Sequence, residues 1–171
     1  MNAPSYPTVP ETDELHHEAF CELFAHVLEG SPWVVDLVAR LRPHTSLEGM
    51  YACFDFVLRD ANLRDQLQAL QAHPRLATGV AASEASAEEQ AGAGLKALTP
   101  EEKARFDELN AEYEARFGFP FIIAVTGLDK HTILARFEER VTRELPLELD
   151  EALAQLIRIV LIRVSKVMGD V

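Results

Sequence analysis

The sequence predicts an all-helical fold, and three observations carry that reading. Apolar residues recur at helical spacing along most of the 171 residues. Ser or Thr followed by Pro marks fresh helix starts. One segment alone, Phe119 to Gly127, has the β-branched and aromatic character of a strand. A lone strand has nothing to pair with, so this segment is expected to be buried and extended without joining a sheet.

Residues 1–11 hold three prolines and little apolar material, and read as a flexible N-terminal arm before a single helical domain over 12–171. From about Thr12 the pattern turns helical, with Phe20, Phe24, Val27 and Leu28 at helical spacing. Ser31 as N-cap and Pro32 at the first helical position start the next helix. Another begins at Thr45 or Ser46, and "LRDQLQALQAH" carries a further one to His73-Pro74. Proline bars the preceding residue from the α region, so His73 is expected at a helix end with its ring aimed by a fixed backbone. Thr99, Pro100 and Glu102 form a capping box that opens a helix stopped by Gly118. Two more helices are expected, Lys130 to Glu144 and about Glu148 to Met168. The last is apolar on nearly all sides and should run through the core. No internal repeat is evident, and the Ala/Ser/Glu-rich Ala81 to Gly94 is the nearest approach to low complexity.

A formal charge of −12 and a pI near 4.9 argue against nucleic acid and anionic membrane as partners, since no Lys/Arg cluster exists to meet phosphates. Cys21 and Cys53 lack CxxC spacing and suggest neither a disulfide framework nor a zinc ribbon. The N-terminal run has no basic and apolar leader, no stretch has the roughly 18 uninterrupted apolar residues of a membrane helix, and "VMGDV" is no peroxisomal tripeptide. A soluble, cytoplasmic protein is expected.

Ser86, Glu89 and Gln90 stand at i, i+3 and i+4, so a helix would bring a hydroxyl, a carboxylate and an amide to one face. S-x-x-E is also a capping box, which is its commoner meaning. His73 lies a short loop away, and an imidazole tuned by a carboxylate, with Glu89 the natural candidate, can serve as acid or base near neutral pH. Arg163, on an apolar helix, must snorkel, pair with a buried acid, or meet an anionic ligand. Arg158, about 140° away around the helix, is expected at the surface. His17 and Cys21 have a metal-compatible i, i+4 spacing, but without two further ligands no metal site is expected. P-loop, G-x-G-x-x-G, G-x-S-x-G and H-E-x-x-H patterns are absent.

Taken together, "GSPWV" (30–34), "AHPRLA" (72–77), "SAEEQAGAGL" (86–95), "LNAEYEARFGFPFIIAVTG" (109–127) and "IVLIRV" (159–164) resemble the OHCU decarboxylase family, in order, from about Phe20 to Val167. OHCU is 2-oxo-4-hydroxy-4-carboxy-5-ureidoimidazoline. The resemblance implies an all-α, single-domain multi-helix bundle, no cofactor, usually a homodimer, and conversion of OHCU to (S)-allantoin in urate breakdown. It implies that His73 is the catalytic histidine and that Glu89 touches the substrate; the chemistry of OHCU adds the expectation that His73 and Glu89 hold the substrate's hydroxyl and manage its proton. The resemblance assigns further substrate contacts to Pro74, Ser86, Gln90, Arg163 and the backbone of Phe121, Ile122, Ile123 and Val125. Gly30, Arg75 and Arg143 depart from the pattern of some members and are expected to lie away from the site. The rival reading is a non-catalytic helical interaction module, in which Ser86 only caps a helix and Arg163 only fills a buried salt bridge. A hydrolase or lyase acting on a neighbouring ureide is the runner-up among enzymes.

Overall fold

The computed structural model describes residues 6–79 and 83–170. Residues 1–5 of the expected arm, the beginning of the Ala81 to Gly94 stretch and Val171 lie outside the described residues. The elements are α1 (Val9–Glu14), α2 (His17–Leu23), α3 (Pro32–Arg40), α4 (Leu47–Asp60), α5 (Leu63–Gln71), α6 (Glu84–Gly92), α7 (Pro100–Phe117), α8 (Lys130–Arg140) and α9 (Leu145–Met168). The fold is all-α, with no strand among the described residues. None of these helices is long and apolar enough to cross a membrane.

Local chemistry explains most boundaries. The Thr99 hydroxyl accepts from the Glu102 N–H, the Glu102 carboxylate accepts from the Thr99 N–H, and Gly118 closes α7 at φ 80°, where a side chain would be strained. Ser46 rather than Thr45 caps α4, accepting from the Gly49 N–H. Asn62 caps α5, which ends at Gln71 and leaves His73 just beyond the helix. Ser31 occupies the N-cap position of α3 but makes no capping bond, and its Oγ is buried without a partner.

Two boundaries differ from expectation. Helix α1 begins at Val9, within the stretch read as an arm, because Thr8 and Glu11 form a second capping box ahead of the proline-containing first turn. Helix α8 stops at Arg140 rather than Glu144, and α9 starts at Leu145 with Pro146 in its first turn, where a proline costs no hydrogen bond.

Helix α9 lies along α4 and α5, α3 packs between α2 and α4, and α7 contacts α8. The buried faces of these helices merge into one apolar core. Full burial of each Phe or Leu in it stabilises the fold by about 1.5–3 kcal/mol. Arg158 is exposed and Arg163 buried, as the helical phase requires. Phe119 to Val125 is buried and extended. In place of a sheet partner, side chains satisfy its backbone: Arg140 Nη1 donates to the Ile122 carbonyl at 2.8 Å and the Ala124 N–H donates to Gln155 at 2.9 Å. Phe121 stacks on Phe137 at 3.9 Å and under the Arg140 guanidinium at 4.4 Å.

Candidate functional site

Helices α6 and α9 and the joint between α2 and α3 meet at Arg163. Its helix carries it into the interior, where its side chain is 4% exposed and five hydrogen bonds meet the five N–H groups of a guanidinium. Nε and Nη2 hold Glu89 through both carboxylate oxygens at 3.0 and 2.9 Å. Nη1 donates to Glu29 at 2.7 Å and to the Val27 carbonyl at 3.4 Å. Nη2 also donates to the Ser86 hydroxyl at 3.0 Å. Of the three fates open to this arginine in the sequence, pairing with a buried acid is the one adopted, and with two acids at once.

Glu29, in the joint between α2 and α3, is the residue the sequence reading missed. Its Oε1 accepts from the hydroxyls of both Ser83 and Ser86 at 2.5 Å, and its Oε2 accepts from Arg163. Burial opposes its charge, but the Arg163 bond and charge and the two serine hydroxyls outweigh it and hold the carboxyl down to about 2. The hint available in the sequence was an acid closing the apolar run "FAHVLE" directly before "GSPWV", together with Arg163's need for a buried partner.

His73 stands beside this cluster with its side chain 10% exposed. Its Nδ1 is buried without a hydrogen-bond partner and lies 3.7 Å from Glu29 Oε2. The nearby acid expected to be Glu89 is therefore first of all Glu29. Burial, helped by the Arg163 charge, outweighs the pull of Glu29 and Glu89 and lowers the imidazole to about 4, so it is neutral at pH 7. With two carboxylates and one guanidinium, the cluster carries a net charge of −1. Lys166 Nζ approaches Glu89 at 3.9 Å from the solvent side.

Helix α6 supplies Ser86, Glu89 and Gln90, but only the first two meet Arg163. Ser83 is the N-cap, so Ser86 sits inside the helix and is not the cap of an S-x-x-E box. Positions i+3 and i+4 fall on opposite sides of residue i, so Gln90 turns away from Glu89 and its Oε1 accepts the Ala77 N–H at 3.0 Å. There it borders a cavity of about 480 Å³ walled also by Ala77, Gly79, Ala87, Lys96 and Lys103. That volume suits a small heterocycle. Pro74 fixes the bend after His73, half-buried. Phe121, Ile122, Ile123 and Val125 are buried, with the segment's hydrogen bonds running to Arg140 and Gln155, outside the Arg163 cluster.

The three departures noted in the sequence fall differently. Arg75 pairs with Glu114, and Arg143 with Glu139 at 2.6 Å, both at the surface. Gly30, contrary to expectation, adjoins the site: it follows Glu29, has φ +65°, and a Cβ on it would lie 2.7 Å from the Ala72 Cβ. Elsewhere, Asp36 Oδ1 lies 2.8 Å from His17 Nε2, adding a third possible metal ligand to His17 and Cys21. Arg40 already neutralises Asp36 through two contacts.

Known proteins resemble this chain along most of its length. The chain is 33% identical over 159 residues to a 2-oxo-4-hydroxy-4-carboxy-5-ureidoimidazoline decarboxylase of Haloferax volcanii, covering 93% of this chain and 95% of that one. It is 32% identical over 160 residues to a uric acid degradation bifunctional protein of Bacillus sp. strain TB-90, of which it spans only 32% of the length. A crystal structure of an OHCU decarboxylase in the presence of (S)-allantoin superposes with a TM-score of 0.69 at 26% identity, over 82% of this chain and 93% of that one. The sequence model of OHCU decarboxylase matches residues 13–165, which takes in every residue of the Arg163 cluster. With its sequence and its helical fold both in agreement, the chain belongs to the OHCU decarboxylase family.

Proposed function

We propose that this protein decarboxylates OHCU to (S)-allantoin in urate breakdown, without a cofactor. The observation that carries the reading is the buried cluster in which His73, Ser86, Glu89 and Arg163, all within the motifs that resemble the family's, meet Glu29. The rival reading of a helical interaction module also accounts for a buried Arg163 ion pair. It gives no reason for an imidazole to be buried 3.7 Å from Glu29, beside the Arg163 cluster.

In OHCU the carboxylate sits on a carbon that bears a hydroxyl and adjoins a C=N bond. When the bond to the carboxylate breaks, its electron pair moves into the neighbouring C=N system and CO2 leaves. The substrate is its own electron sink, and the protein has to supply orientation and proton control. The nitrogen of the former C=N bond takes a proton from solvent, a neutral His73 with Glu89 beside it acts as base toward the hydroxyl of the planar enol, and the proton His73 thereby gains is returned to the ring carbon from one face only. That single face gives one enantiomer.

Arg163 holds Glu89 and Ser86 in place, and reaches the substrate only by exchanging one of its present bonds. Gln90 and Pro74, with the backbone of Phe121, Ile122, Ile123 and Val125, hold the ring and ureido group. The two lysines beside Gln90 draw the anionic substrate toward a cluster whose own charge would repel it.

Two copies are expected to associate. Supporting this, Leu37, Leu41 and Phe56 are exposed around a groove of about 430 Å³ between α3 and α4. A cytoplasmic setting fits the two free cysteines.

The test generates OHCU from urate with uricase and hydroxyisourate hydrolase and follows allantoin by circular dichroism. A fast rise of (S)-allantoin signal, lost in His73→Ala, is expected. Racemic product at the uncatalysed rate would overturn the proposal.

A further inference from the structure

We propose that Glu29 is a positioning residue that holds the His73 imidazole as its Nδ1–H tautomer, leaving the Nε2 lone pair to take the substrate's proton. The catalytic part of this statement rests on the function proposed above; the tautomer itself does not.

The starting point is an unsatisfied atom. His73 Nδ1 is buried, has no hydrogen-bond partner, and faces Glu29 Oε2 at 3.7 Å. A lone pair on Nδ1 would point at a carboxylate and be repelled, whereas an N–H would be attracted. An approach of roughly 0.8 Å would make that attraction a hydrogen bond of ordinary length, about 2.9 Å. Glu29 rather than Glu89 is the carboxylate that comes within 4.0 Å of this nitrogen among the described residues, Glu89 turning both oxygens to Arg163.

Glu29 is held where this task needs it. Two serine hydroxyls fix Oε1, and Arg163 fixes Oε2. The next residue's carbonyl, on Gly30, accepts from Gln68 Nε2 at 3.3 Å. Gly30 itself lies so close to Ala72, the neighbour of His73, that a Cβ on it would stand 2.7 Å from the Ala72 Cβ, and the α2–α3 joint is thereby packed against the bend after α5. A carboxylate needed only to neutralise Arg163 would duplicate Glu89. A carboxylate oxygen shared between Arg163 and an orphaned imidazole nitrogen orients the ring, as in other carboxylate–histidine pairs.

The experiment is ¹⁵N NMR of the full-length protein labelled at histidine, with His73 assigned by difference from His73→Gln, beside steady-state kinetics on OHCU. The wild type is expected to show protonated Nδ1 and unprotonated Nε2. In Glu29→Ala nothing holds Nδ1, so the proton moves to Nε2, and kcat falls by about 10²-fold or more while KM changes little. Glu29→Gln keeps an oxygen toward Nδ1, since its amide nitrogen is repelled by Arg163, and it retains the Nδ1–H tautomer and most of kcat. A wild-type His73 protonated on Nε2 overturns the proposal, as does a folded Glu29→Ala protein with wild-type kcat or an unmoved proton. Should Glu29→Ala not fold, the wild-type and Glu29→Gln spectra decide, and Nε2–H in either one overturns it. A wild type inactive on OHCU would sink the proposed function and leave the tautomer result standing.

Discussion

Replacing Arg163 by Met removes one cation from between two buried carboxylates and leaves the hydrocarbon volume nearly filled. The side chains of Glu29 and Glu89 are 10% and 9% exposed, so neither is well solvated once the guanidinium is gone. Glu29 would keep two serine hydroxyls, and Glu89 the distant Lys166. Breaking a buried pair from one side costs about 3–5 kcal/mol, which in a domain of this size lowers Tm by roughly 6–20 °C. The pH dependence discriminates further. In the wild type Glu29 titrates near 2, below the usual carboxylate value, so its contribution is present above about pH 4.5 and is lost as pH falls toward 2. Without Arg163 the burial effect on Glu29 dominates and its carboxyl titrates above its unfolded value, so protonation favours the folded variant. The deficit in Arg163→Met should therefore shrink between pH 7 and pH 5, measured by urea unfolding of both proteins at each pH. A loss below about 1 kcal/mol, or a deficit that grows on acidification, would refute the reasoning.

Other outcomes follow from the same geometry. His73 is held at about 4, below its ordinary 6.5, so the unfolded chain binds its proton first as pH falls. Stability should drop by about 3 kcal/mol between pH 6.5 and 4, and this slope should vanish in His73→Asn in the same unfolding experiment. Gly30→Ala places a side chain at φ +65° against Ala72 and should cost about 2 kcal/mol or more in thermal unfolding. It should also lower activity, because Glu29 and His73 flank the contact. Tyr113→Phe deletes the phenol that donates to the buried Glu148 carboxylate, which then keeps Arg140, at 2.9 and 2.6 Å, and the more distant Arg143 at 3.9 Å. A loss of about 1–3 kcal/mol in denaturant titration is expected, and an unchanged midpoint would mean that this network is not stabilising.

The sequence by itself determined the features set by nearest neighbours and by helical phase. The capping box at Thr99, the stop at Gly118, the placement of His73 before Pro74 and the inward turn of Arg163 against the outward turn of Arg158 are all local, since each depends on residues within a turn or two. The family motifs likewise lie in short contiguous runs, which made the OHCU decarboxylase resemblance readable. What only the tertiary structure decided is which charges meet. Glu29 is 134 residues from Arg163 and 57 from Ser86 in the chain, and the apolar run it closes hints at burial without saying which cation it meets. Asp36 joins His17 across 19 residues, and Gly30 meets Ala72, for the same reason: the packing of α2, α3, α5 and α9 sets these distances. In a buried site a carboxylate's partner is whichever cation the packing delivers within hydrogen-bonding reach, and that information resides in the assembled core rather than in any single stretch of sequence.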